Sequence, residues 1–119
     1  MSISSAQASA FYKEVAENGV VWGIKDSGGF PAPHGTEDKR TMPFWSSRSR
    51  AQAVIENVGA YEGFEPVAIP WTEFCERWVP GLSKDGLLAG INWSGKRATG
   101  FDIHPSELQK NVEALRNNT

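Results

Sequence analysis

The chain has 119 residues, 39% of them hydrophobic and 22% charged, with a net charge of −2. That length suits a single domain over residues 1–119 with its own core, and that composition argues against an intrinsically disordered chain. With 12 basic side chains against 14 acidic ones, nothing electrostatic points to nucleic acid or an anionic membrane as partner.

One cysteine, Cys75, rules out an internal disulfide and fits a reducing compartment. Residues 1–10 lack the basic start and apolar stretch of a signal peptide. No apolar run approaches the roughly 20 residues that span a bilayer. A cytoplasmic location is expected. The five tryptophans stand out: Trp22, Trp45, Trp71, Trp78 and Trp93. Core packing is the expected use of most of them, since an indole supplies a large buried area in a small domain.

In chain order, Ala8, Phe11 and Val15 predict a helix over residues 5–18, ended by Asn18-Gly19. Residues 20–26 read as a strand. Residues 27–41, with Gly28, Gly29, Pro31, Pro33 and Gly35, form a loop that is long for a compact domain and therefore mobile or functional. A short strand follows at 42–45. Pro43 within it predicts a sheet edge, because proline cannot donate to a ladder. Ser46 or Ser47 caps a helix whose apolar face is Ala51, Val54, Ile55 and Val58, with Gly59 as its stop. Residues 65–69 read as a strand. Pro70 opens a helix with Trp71, Phe74, Cys75, Trp78 and Val79 on one face, and Pro80 is predicted to end it. Strands over 87–93 and 98–103 flank a hairpin turn at 94–97. His104-Pro105 opens a last helix with Leu108, Val112 and Leu115 on one face. The order α-β-β-α-β-α-β-β-α predicts an α+β fold, with helices packed on a mixed, mainly antiparallel sheet of about five strands.

Candidate chemistry is sparse. The stretch Gly90-Ile-Asn-Trp-Ser-Gly95-Lys96 has most of the phosphate-loop spacing, but Arg97 stands where a magnesium-binding hydroxyl belongs. It also leads into a strand rather than a helix. His34, with Glu37 and Asp38 nearby, lacks the further His or Cys that zinc requires. Asp102 and His104 share a strand face, which suits a base-orienting pair, but no nucleophile accompanies them. Cys75 on an apolar helix face reads as an inert thiol. No metal, cofactor or catalytic residue is expected.

The segment Phe44-Trp45-Ser46-Ser47-Arg48-Ser49-Arg50 is the most site-like. It sets two arginines into the first turn of a helix, against the dipole, beside a tryptophan. Trp and Arg are the side chains most often dominant at protein interfaces. The plain alternative is a core Trp45 with solvated arginines.

Three stretches carry a family resemblance: Val21-Trp22-Gly-Ile-Lys-Asp, Pro43-Phe-Trp45-Ser-Ser-Arg-Ser-Arg-Ala51, and Ile69-Pro70-Trp-Thr-Glu-Phe74-Cys-Glu-Arg-Trp78-Val-Pro80-Gly-Leu82-Ser-Lys-Asp85-Gly86-Leu-Leu. In order and spacing they resemble a bacterial family catalogued as domain of unknown function 2750, from about Phe11 to Leu115. The resemblance implies a small cytosolic bacterial α+β protein and brings no catalytic residue with it. The expected function is a non-enzymatic module that binds another protein or itself, with Trp45, Arg48 and Arg50 as contact residues. The competing expectation is a small-molecule-binding protein or weak enzyme. Its Trp-lined pocket would lie between the 27–41 loop and the sheet, with His34 at its side.

Overall fold

Helix α1 (Ile3–Asn18) stops because Gly19 takes a φ of +68° and donates its N–H to the Val15 carbonyl. That conformation is one that glycine adopts without a Cβ penalty. The structure, a computed structural model, describes residues 3–33, 39–95 and 99–117. Strand β1 (Val20–Lys25) follows, and the turn Asp26–Gly29 is pinned by the Asp26 carboxylate accepting from Gly28 N. The predicted loop is anchored on both sides: Phe30 packs edge-on against Trp78, and Thr41 N donates to the Pro33 carbonyl.

Strand β2 (Thr41–Phe44) ends its sheet, as Pro43 predicts. It pairs in parallel with β4 (Leu88–Ser94), and residue 45 just beyond it exchanges two backbone hydrogen bonds with Trp22 of β1. Alternation along a strand explains how Pro43 is tolerated. Trp45 points both its polar backbone groups at β1, so Pro43, two residues earlier, faces the same way. Its missing donor falls where the β1 side has no ladder to fill.

The expected sheet is thereby divided in two. Strand β1 pairs antiparallel with β3 (Glu65–Pro70), while β2, β4 and β5 (Thr99–Ile103) form the other sheet in the order β2-β4-β5. The Trp22–Trp45 bridge joins them.

Helix α2 (Arg48–Asn57) begins at Ser47, whose hydroxyl accepts from Arg50 N as an N-cap should. A 3-10 turn (Gly59–Tyr61) follows it. The next helix departs from expectation at Pro80. It runs continuously over residues 71–84 as α3 (Trp71–Glu73), a π turn (Phe74–Trp78) and α4 (Val79–Lys84). The π turn widens the ladder so that Val79 N reaches the Phe74 carbonyl. Proline removes one donor and crowds the carbonyl four residues back; the widened turn just before it absorbs both defects. The buried face shifts accordingly, from Trp71 and Phe74 to Val79 and Leu82. That one-residue slip leaves Trp78 half-buried rather than in the core. Helix α5 (Pro105–Arg116) starts with its proline at the first turn, as expected.

Two apolar clusters lie on opposite faces of the strands. The larger holds Phe11, Val15, Phe44, Phe74, Ile91, Leu108 and Val112, under α1, α5 and the 71–84 helix. The smaller holds Ile24, Trp45, Ala51, Val54, Tyr61 and Trp93, under α2. Ile91 and Trp93 would share a face in a regular strand. They do not, because a bulge sets Asn92 and Trp93 opposite Gly100, with Asn92 at φ +50°. One extra residue flips the side-chain parity and sends Trp93 through to the α2 side.

Candidate functional site

The segment after β2 places the predicted contact residues in unlike settings. Trp45 is fully buried, and its indole N–H donates to the Trp93 carbonyl at 2.8 Å. It is therefore core, not surface. Arg50 is held at both ends of its fork: Nε donates to Glu14 Oε1 at 3.1 Å and Nη2 to Oε2 at 2.9 Å. Arg48 is exposed. His34 lies outside the described residues. The structure thus does not bring Trp45 to the surface beside the two arginines.

What it builds instead is a polar lock between α1, α2 and the β4 bulge. Buried Ser46 donates its backbone N–H to Asn92 Oδ1 at 3.0 Å and its hydroxyl to Glu14 Oε1 at 2.6 Å. Asn92 Nδ2 donates to Ser46 Oγ and to the Gln7 carbonyl, and Gln7 Nε2 donates to Ser94 Oγ. The hydrogen bond from Arg50 is the main reason the Glu14 carboxyl is held below the usual carboxylate range, with Ser46 adding to it. A partly exposed ion pair of this kind contributes at most about 1 kcal/mol, so its effect is chiefly positional.

Four candidate reactive groups among the described residues, Glu14, Ser46, Asp102 and Cys75, are committed to structural contacts or held unreactive. Glu14 is a weakened base, and Ser46 beside it is closed off from solvent. Asp102 commits Oδ1 to the Trp93 indole at 3.0 Å. Burial, reinforced by Glu113, pushes the Cys75 thiol up to about 11, the opposite of an activated nucleophile. The phosphate-loop look-alike is mostly strand β4. Among the described residues no group of three or more His, Cys, Asp or Glu is placed to hold a metal, and no helix is long and apolar enough to cross a membrane.

Two surface features that sequence reasoning missed have shape. The first is the outer side of β5, which ends the β2-β4-β5 sheet. Four consecutive residues, Phe101, Asp102, Ile103 and His104, line one cleft of about 210 Å³ there, with Leu88 and Glu107. The cleft lies at the C-terminal end of β5, where Leu88 of β4 and Glu107 of α5 help to line it. Phe101 is 38% exposed. The opposite edge, β3, carries Pro66 and Pro70 and opens on Glu65, devices that discourage strand addition. The sequence did contain the difference: no proline lies in residues 99–103.

The second is a cleft of about 210 Å³ on the 71–84 helix, lined by Met42, Arg77, Trp78, Gly81, Leu82, Asp85 and Leu87. It lies beside the anchored 27–33 segment, since Phe30 stacks edge-on to Trp78 with ring centres 4.7 Å apart. Ligand pockets usually enclose about 300–1,000 Å³, so this cleft has room for about one side chain.

These features define a small α+β protein built on two joined sheets. The chain belongs to the family described as "Protein of unknown function (DUF2750)", whose model matches residues 8–112. Among solved structures, Anabaena Tic22 (protein transport) is similar over 67% of this chain, with 16% sequence identity and a TM-score of 0.42. The match covers 46% of that chain, so this protein spans less than half its length.

Proposed function

We propose that the protein is a non-enzymatic protein-binding module that pairs an extended segment of a partner, or of a second copy of itself, along β5. The observation that carries this reading is the contrast between the two edges. Strand β5 ends its sheet, is free of proline, and carries a partly exposed Phe101 beside a cleft at its C-terminal end, whereas β3 is guarded by two prolines. An open edge offers a row of backbone donors and acceptors to an incoming strand, and pockets beside it select alternate side chains.

The test is native mass spectrometry and sedimentation of the purified chain beside Phe101→Asp, followed by capture from the host's own extract. A two-chain species that Phe101→Asp removes, with an unchanged melting temperature, supports self-pairing. A captured protein that protects β5 amides from exchange and is lost with Phe101→Asp supports pairing with a partner. A chain that stays single and holds nothing Phe101→Asp can release overturns the β5 reading.

A further inference from the structure

The cleft on the 71–84 helix is independent of the β5 edge and has a more specific chemistry. Arg77, Gly81 and Asp85 are spaced four apart, so they form one stripe along the helix. Trp78 and Leu82 form the adjoining stripe and, with Met42 and Leu87, give the cleft its apolar wall. Gly81 sits midway between the two charges. A Cβ built on it meets no atom within 4 Å, so the glycine leaves an open dent at the centre of the stripe. Trp78 is fixed as a wall by edge-on contacts with Phe30 and Phe44.

Both charges are exposed and open to a partner. Among the described residues, neither Arg77 nor Asp85 has an ion pair or a side-chain hydrogen bond. Asp85 also sits at the C-terminal end of its helix, where the dipole's negative pole disfavours a carboxylate. A cation arriving there would meet both the carboxylate and that pole.

Spacing then decides what fits. Eight residues of helix separate the Cα atoms of Arg77 and Asp85 by about 12 Å. A free amino acid carries both its charges on one carbon and cannot reach across. In an extended chain, residues four apart lie about 13 Å from each other, and positions i−2, i and i+2 point the same way.

We propose that this cleft binds an extended segment of a partner protein of the pattern acidic-x-apolar-x-basic, read in either chain direction. The apolar side chain enters the dent over Gly81 against Trp78 and Leu82. The acidic side chain meets Arg77, and the basic one meets Asp85.

The probes are two capped peptides, acetyl-Glu-Ala-Leu-Ala-Lys-amide and its reverse acetyl-Lys-Ala-Leu-Ala-Glu-amide, titrated to several millimolar into the labelled full chain and followed by NMR. The expected result is saturable shifts of the Trp78 indole N–H and of the Gly81 and Asp85 amides with at least one peptide. Replacing the peptide's Leu by Ala should weaken binding at least about tenfold, and free leucine should move nothing. Gly81→Leu fills the dent from an ordinary helical position, so its melting temperature should be no lower than wild type while the shifts disappear. The double exchange Arg77→Glu with Asp85→Lys, both at exposed sites, should weaken the preferred peptide about tenfold and favour its reverse. No shifts from either peptide overturns the proposal, as does binding that survives Gly81→Leu or ignores the charge exchange.

Discussion

Asn92 shows how much a single position settles. It holds a backbone conformation that few residues other than glycine adopt, and its amide joins β4 to Ser46 and to α1. Asn92→Ala should cost about 2–4 kcal/mol, because it orphans the buried Ser46 N–H and adds left-handed strain. Asn92→Gly removes the strain and should cost less; urea denaturation of both variants measures the difference. Glu14 has a pH signature. Its folded-state carboxyl is lowered, so its contribution to stability is present above the unfolded value and lost as pH falls through the folded one. Glu14→Gln should therefore flatten the acid limb of the stability curve, seen as a smaller drop in melting temperature between neutral and acid pH. Cys75 runs the other way. Its thiol is raised to about 11, so its contribution is intact below about 9 and fades as pH rises through 11. Thiol-alkylation kinetics should accordingly show a native chain reacting far more slowly at pH 8 than the unfolded one.

At the scale of elements, glycine and tryptophan fit one another. A Cβ at Gly90 would collide with the Trp93 indole, and one at Gly100 would come within 2.8 Å of Trp93 Cδ1. Gly90→Ala should destabilise the fold by about 1–3 kcal/mol through overpacking. Combined with Trp93→Ala it should cost clearly less than the sum of the two single changes, a coupling that a double-mutant cycle reads directly. Most elements were legible in the sequence because helix punctuation is local: Gly19, Ser47 and Pro105 act where they stand. Two features were not legible. Pro80 stops a helix unless the preceding turn widens, and the widening depends on Trp71, Phe74, Val79 and Leu82 packing against distant strands. The bulge at Asn92 reverses the face of Trp93, and no period-two pattern foresees that. The candidate site is the least legible part, because the sequence leaves Trp45 open to both a surface and a core reading. Burial of its ring under α2 is a tertiary outcome.

For the molecule as a whole, the pairing order carries its own consequence. Strand β1 pairs with β3 and β2 pairs with β4, so in sequence the two pairings interleave: β2 lies within the loop that β1 and β3 close, and β3 lies within the loop that β2 and β4 close. Neither ladder can form as a self-contained segment, and among the described strands only β4 and β5 are sequence neighbours that pair. Both long closures must be met before their contacts reward them, which slows folding relative to a chain of local hairpins. Loss of tryptophan fluorescence and loss of far-ultraviolet circular dichroism should coincide in denaturant as one all-or-none step, whereas two separated transitions would show that the ladders come apart independently. The interleaving also bears on evolution by cutting and joining. A break anywhere between residues 45 and 64 severs both closures at once, so this fold is expected to be inherited whole, not assembled from halves.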